Sequence, residues 1–160
     1  MKKQILILIP AILLACTFFS CSSVKKLPAT VAGSARARFV GTWALNKVTY
    51  EGLVPGAVQT VFNQGPPEAF EGSTWNLTNS GNGTYTLTNG TIQKIFWSYN
   101  NSNGEIFQFK QLYQGDSASK VTDGYQLQVA YVDNDRMALK SPVGLGDKTV
   151  YVVFSFNKTK

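Results

Sequence analysis

From residue 39 onward the chain consists of short runs in which apolar and polar residues alternate, separated by turns rich in Asn and Gly. Trp75 and Leu77 belong to one such run, the pair Asn82-Gly83 follows, and Tyr85 resumes the alternation. Alternation with a period of two gives a strand one apolar face, and Asn-Gly between two such runs is typical of a β-hairpin. A chain built in this way is predicted to form antiparallel β-structure.

Eight candidate strands follow this pattern, at residues 39–50, 73–77, 84–88, 91–99, 105–113, 125–132, 136–140 and 149–157. Successive antiparallel strands that each bury one face form a sandwich or a barrel. The meander order favours an all-β, eight-stranded antiparallel up-and-down barrel in which the last strand pairs with the first and removes both sheet edges. The inward faces are predicted to include Tyr113 and Tyr131.

The only long connection spans residues 52–72 and contains Pro55-Gly56 and Pro66-Pro67, which exclude a strand within a ladder. We predict a helical turn or two over residues 57–63. Four apolar residues then form a candidate lid over the barrel: Val58, Val61, Phe62 and Phe70. Such a loop either covers a binding site or packs permanently on the rim of the barrel.

The N-terminus has the form of an export signal. Two lysines follow Met1, and residues 5–15 are apolar but too short to span a bilayer, which takes about 20 residues. A Cys follows, as in bacterial lipoprotein signals. We prefer Cys21 as the lipidated residue because polar residues follow it, with Cys16 as the alternative. The predicted organisation is a signal peptide at 1–20, a flexible tether at 21–38 and the barrel at 39–160.

This leader predicts an exported protein anchored by lipid to the bacterial cell envelope, with the lipid bilayer as its partner and the outer membrane as its expected location. An ordinary secretory signal with incidental cysteines is the other interpretation.

Charge and composition exclude several classes of function for the body. Six of the 15 basic residues precede Phe39 and all nine acidic residues follow it, so residues 39–160 are neutral and offer no footprint for nucleic acid. There is no His, and both cysteines lie in the leader. The sequence therefore predicts no metal, no cofactor and no catalytic residues, and Glu51, Glu68 and Glu71 are expected to be solvated loop residues.

The entry to the first strand, Phe39-Val40-Gly41-Thr42-Trp43, resembles the opening motif of lipocalins and of the short lipocalin-like lipoproteins of Bacteroidetes. Thr122-Asp123-Gly124-Tyr125 resembles their second motif, Thr-Asp-Tyr, with one residue inserted. The resemblance implies a lipocalin-like barrel in which Trp43 closes one end and Gly41 lets its ring approach the backbone. The chain departs from lipocalins near the last strand, where Lys158 stands in place of the Arg that packs over the motif Trp.

Two functions remain open. The first is binding of a small hydrophobic or amphipathic ligand by the lid and by inward aromatic residues of the strands, which are Trp75, Tyr85, Trp97, Phe107, Phe109, Tyr125 and Phe154. The alternative is a barrel filled by those same residues, which acts as a structural or protein-interaction module of the envelope with an unknown partner. Asp116-Ser117-Ala118 also resembles the O-glycosylation triplet of Bacteroidetes and leaves modification of Ser117 open.

Overall fold

The computed structural model describes residues 35–159. It contains eight strands, β1 (Gly41–Glu51), β2 (Thr74–Leu77), β3 (Asn82–Thr86), β4 (Ile92–Asn100), β5 (Ile106–Leu112), β6 (Tyr125–Val132), β7 (Arg136–Leu145) and β8 (Lys148–Lys158). A single turn of 3-10 helix, Pro67–Phe70, lies in the long connection. The predicted signal peptide, both candidate lipidation sites and most of the predicted tether lie outside the described residues.

The strands form one sheet that closes on itself. Each strand pairs antiparallel with the next along the chain, and β1 also pairs with β8. Trp43 lies opposite Trp75 on one side and opposite Lys158 on the other. The prediction of an eight-stranded antiparallel up-and-down sheet is therefore confirmed, and closure leaves neither β1 nor β8 as a free edge.

Two β-bulges reset the alternation of buried and exposed residues. In β1 the register shifts between Leu45 and Lys47, so Val48 is the next buried residue after Leu45. In β6 the shift falls between Val129 and Tyr131. One extra residue turns the following side chains to the opposite face, so Val132 is buried and Tyr131 is 45% exposed. The prediction that Tyr131 points inward is wrong for this reason.

Tyr113 also lies outside the barrel, contrary to the prediction. The strand β5 ends at Leu112, and Tyr113 begins the loop that follows, where it is 62% exposed. Its backbone N–H donates to the carboxylate of Asp116 over 2.8 Å, which starts the turn. The alternating pattern of β5 thus ends at Gln111, which takes the inward place next along the strand from Phe109.

The strand β7 is twice as long as predicted, because it runs through Pro142 to Leu145 before a two-residue turn at Gly146 and Asp147. Gly146 has a φ of 58°, which suits the tight hairpin turns that a glycine allows. The strand β6 pairs with β7 only as far as Lys140. Residues 141–145 therefore pair with β8 alone, and a proline is tolerated where one edge of a strand has no ladder.

One end of the barrel is closed by Trp43, whose side chain is fully buried and donates its indole N–H to the carbonyl of Phe39 over 2.8 Å. The first strand was predicted to begin at Phe39, but β1 begins at Gly41, and Phe39 lies just before it. Its ring packs against Trp97 and Phe107 at centroid distances of 6.1 and 5.6 Å. The ammonium of Lys158 lies 5.0 Å from the centre of the Trp43 ring. We call this the closed end.

No helix within residues 35–159 has both the length and the apolar character needed to cross a bilayer.

Candidate functional site at the open end of the barrel

The other end of the barrel, which we call the mouth, is bordered by the connections at residues 52–73, 87–91, 113–124 and 146–147. It lies opposite the closed end because antiparallel strands return their connections alternately to the two ends. The long connection at 52–73 is by far the largest of the four.

The second half of the long connection is fastened to β1. The N–H of Gly72 donates to the carbonyl of Leu45 over 2.7 Å, and the carboxylate of Glu71 accepts the N–H of Val48 over 2.7 Å. These bonds satisfy backbone groups beside the bulge in β1. The hydroxyl of Tyr50 donates to Glu68, and burial together with that carboxylate raises the pKa of Tyr50 to about 12. This half of the connection is therefore a fixed part of the barrel rim.

Residues 57–63 do not form the helical turn that we predicted. The chain instead makes a tight turn, in which the N–H of Val61 donates to the carbonyl of Gly65 over 2.8 Å. Phe62 and Asn63, at its tip, both have a φ of 51°. That left-handed conformation is incompatible with a helix, and it directs the Phe62 ring into the barrel.

Phe62 fills the space at the centre of the barrel. Its ring centroid lies 5.1 Å from Phe109, 5.2 Å from Tyr125 and 5.3 Å from Phe154. Only 4% of the residue is exposed. Aromatic rings at these separations are in contact, so the interior beneath the loop is occupied by protein.

The predicted ligand-binding residues of the interior are therefore brought together, but they pack against one another instead of lining an open cavity. Below Phe62, Trp75 stacks on Tyr85 at 4.8 Å and Trp97 stacks on Phe107 at 5.7 Å. Of the four lid residues, Val61, Phe62 and Phe70 are buried and Val58 is half-buried at the rim. Several pockets among residues 35–159 lie on the outer wall and at the mouth.

A polar group that the sequence analysis overlooked lies within this aromatic interior. Gln111 is 7% exposed, and its amide N–H group donates to the carbonyl of Phe62 over 2.9 Å and to the hydroxyl of Tyr85 over 2.7 Å. Burial raises the pKa of Tyr85 above its ordinary value, so the hydroxyl stays neutral. Gln111 could have been placed inside from the sequence, because it lies on the same face of the strand as Phe107 and Phe109.

The mouth also carries an apolar pocket of about 610 Å³. It lies between the first half of the long connection and the end of the β7–β8 hairpin, and we call it the mouth pocket. Its lining residues are Gly52, Leu53, Val54, Ala57, Val58, Val143, Gly144 and Leu145. Val54 is 70% exposed and Leu145 is 57% exposed. Of these, only Val58 was among the predicted ligand-binding residues.

Three acidic groups at the mouth have structural partners. Glu51 forms an ion pair with Lys140 at 2.8 Å, while Glu68 and Glu71 hold the long connection as described above. Within residues 35–159 no three acidic side chains gather in a way that would hold a metal ion. Ser117 is exposed on the loop after β5, where its O-glycosylation remains a prediction.

Comparison of the chain with protein-family models, with curated proteins and with solved structures found no match.

Proposed function

We propose that this protein is a membrane-anchored, lipocalin-like barrel that binds a small amphipathic ligand in the mouth pocket. The observation that carries this proposal is the contrast between a filled interior and an exposed apolar pocket at the mouth. Ligand pockets commonly measure about 300–1,000 Å³ and are mostly apolar. An open apolar pocket suits a ligand whose apolar part is buried and whose polar part stays in water.

The lipocalin-like assignment is supported by the place of Trp43 at the closed end and by the cation of Lys158 over its ring. Lys158 thus stands over the motif Trp where the resemblance calls for an Arg. Because Trp43 closes one end, the open end is the place that we propose for a ligand.

The anchor is proposed to be a lipid on Cys21, with Cys16 as the alternative. It would hold the protein in the bacterial envelope, with the outer membrane as the expected site. The mass of the mature N-terminal peptide from Cys21→Ser and Cys16→Ser chains would identify the lipidated residue, and an unlipidated N-terminus in the wild type would refute the anchor.

Binding at the mouth pocket is tested with decanoic acid, used below the concentration at which it forms micelles and followed by titration calorimetry. Replacing Val54 and Leu145 together by Ser should weaken binding at least about 10-fold, since about 1.4 kcal/mol of lost apolar contact corresponds to that factor. Ile92→Ser is the matched control, because Ile92 is also exposed, at 67%, but lies outside the pocket. Absence of binding by the wild type, or equal losses in both variants, would overturn the proposal.

A second candidate is a protein-interaction module, favoured by the free edge of β7. Residues 141–145 pair with β8 alone, and Val143 and Leu145 on this edge also line the mouth pocket. An unpaired strand edge beside apolar side chains suits an extended, apolar segment of a partner protein, which would add a strand. Cross-linking from position 144 in envelope extracts tests this. Recovery of no stoichiometric partner would count against it.

A further inference from the structure

The backbone at the tip of the long connection is strained where it enters the barrel. Phe62 and Asn63 are the only non-glycine residues with a positive φ within residues 35–159. Asn tolerates this left-handed conformation because its short polar side chain bonds locally, whereas a Phe adopts it only at a cost in free energy. A strained conformation persists only where the surrounding contacts hold it, and such positions are frequent at ligand sites.

Phe62 is held by aromatic ring contacts and one hydrogen bond, which are the kinds of contact that a small bound ligand makes. Its ring lies in an aromatic socket, which we define as Phe70, Trp75, Phe109, Tyr125 and Phe154, at centroid distances of 5.1–6.5 Å. Its carbonyl accepts the Gln111 amide at 2.9 Å. An apolar enclosure with one directed polar group is the usual composition of a small-molecule site.

The segment that carries Phe62 is small and closed on itself. The bond from Val61 to Gly65 is joined by one from the N–H of Gln64 to the carbonyl of Val61 over 3.1 Å. The attachments of Glu68, Glu71 and Gly72 to β1 lie further along the chain. Apart from the Gln111 bond, one side-chain hydrogen bond joins this segment to a strand, from the amide of Gln64 to that of Gln93 in β4 over 3.4 Å. Once these two bonds break, residues 61–65 can leave the barrel as a unit while the rim stays fixed.

We propose that Phe62 is an internal occupant of a second binding site, and that the aromatic socket takes a small aryl compound whose carbonyl lies two carbons from the ring. This spacing is that of Phe62 itself, whose β and α carbons separate its ring from the carbonyl that Gln111 binds. The ligand replaces the Phe62 ring in the socket and the Phe62 carbonyl at Gln111. The socket shares no residue with the mouth pocket and does not depend on a ligand being bound there.

The experiment uses Phe62→Ala, which removes the ring from the socket and leaves only the backbone carbonyl of residue 62 to be displaced from Gln111, with 3-phenylpropanamide as the probe. Calorimetry should show that this variant binds the probe at least about 10-fold more tightly than the wild type, in which Phe62 competes. Propylbenzene, which lacks the carbonyl, should bind the variant about 10-fold more weakly than the amide does. Adding Gln111→Leu should remove that preference. The proposal would be overturned if a folded Phe62→Ala protein bound the amide no more tightly than propylbenzene. It would also be overturned if the amide were still preferred after Gln111→Leu was added.

The wild type provides a test that does not depend on the variant folding. At millimolar 3-phenylpropanamide, the side-chain amide resonances of Gln111 and the backbone resonance of Asn63 should shift together in NMR spectra. Unshifted resonances at saturating probe would refute displacement of Phe62. Since decanoic acid reports on the mouth pocket and 3-phenylpropanamide on the aromatic socket, each proposal can fail while the other stands.

Discussion

Replacing Trp43 by Phe should destabilise the protein by about 2–4 kcal/mol, through loss of the bond that seals the closed end. The indole donates to the carbonyl of Phe39 over 2.8 Å, and both residues are fully buried. A buried carbonyl left without a donor costs about 1–3 kcal/mol. The smaller ring buries roughly 40 Å² less apolar surface, which at about 25 cal/mol per Å² adds ~1 kcal/mol.

Trp97→Phe is the matched control for this prediction. Trp97 is also fully buried and also donates its indole N–H to a backbone carbonyl, that of Thr78, over 3.1 Å. Thr78 is exposed, so water can replace the lost donor. The expected loss is about 1–2 kcal/mol, mostly from the smaller ring.

Urea unfolding followed by far-UV circular dichroism measures both variants without relying on tryptophan emission. The dependence of the unfolding free energy on urea should keep its slope, so that the shift of the midpoint reports stability alone. If Trp43→Phe lost no more unfolding free energy than Trp97→Phe, the unsatisfied carbonyl of Phe39 would not be the cause of the destabilisation.

Two further perturbations test the packing of the hairpins and the charge at the closed end. Gly83→Ala would place a Cβ 2.7 Å from the backbone oxygen of Asn76, so the strands must separate and urea unfolding should show a loss of about 1–3 kcal/mol. Gly90→Ala meets no atom within 4 Å and should cost only the ~1 kcal/mol of its positive φ. The Tyr99 hydroxyl holds the pKa of Glu105 below its ordinary value of 4.5. The stabilisation from this lowered pKa is complete above pH 4.5 and is lost as the pH falls through the lower pKa of the folded protein. Tyr99→Phe should therefore make the unfolding free energy depend less steeply on pH on the acid side.

These two predictions have clear contrary outcomes. Equal losses for the two glycine variants would mean that contact with the facing strand does not determine the choice of glycine at position 83. An acid profile unchanged by Tyr99→Phe would mean that the hydroxyl does not set the pKa of Glu105.

Strand order and most of the inward faces were predictable from the sequence, because a strand buries every second residue and turns require particular residues. Tyr125–Val132 was predicted with its exact bounds, and the pairs Trp43 with Leu45 and Phe107 with Phe109 were placed inside correctly. The extra residue of a β-bulge has no signature in the alternation itself, which is why Tyr131 was misplaced. The seventh strand was predicted to end at Lys140, five residues before its observed end at Leu145. Local sequence does not show that β6 stops pairing at Lys140, which leaves an edge on which Pro142 is tolerated.

The alternation of apolar residues and the turn residues between them are enough to predict that this chain forms a closed antiparallel sheet with Trp43 in its first strand. Whether the interior of that sheet is open or filled depends instead on contacts between residues that are distant in the sequence. The deciding residue is Phe62, whose φ of 51° depends on the socket and on Gln111, and these are brought to it by strands distant in the chain. Local sequence sets backbone preference, but only contacts between distant residues can hold a bulky side chain in a conformation that local preference opposes.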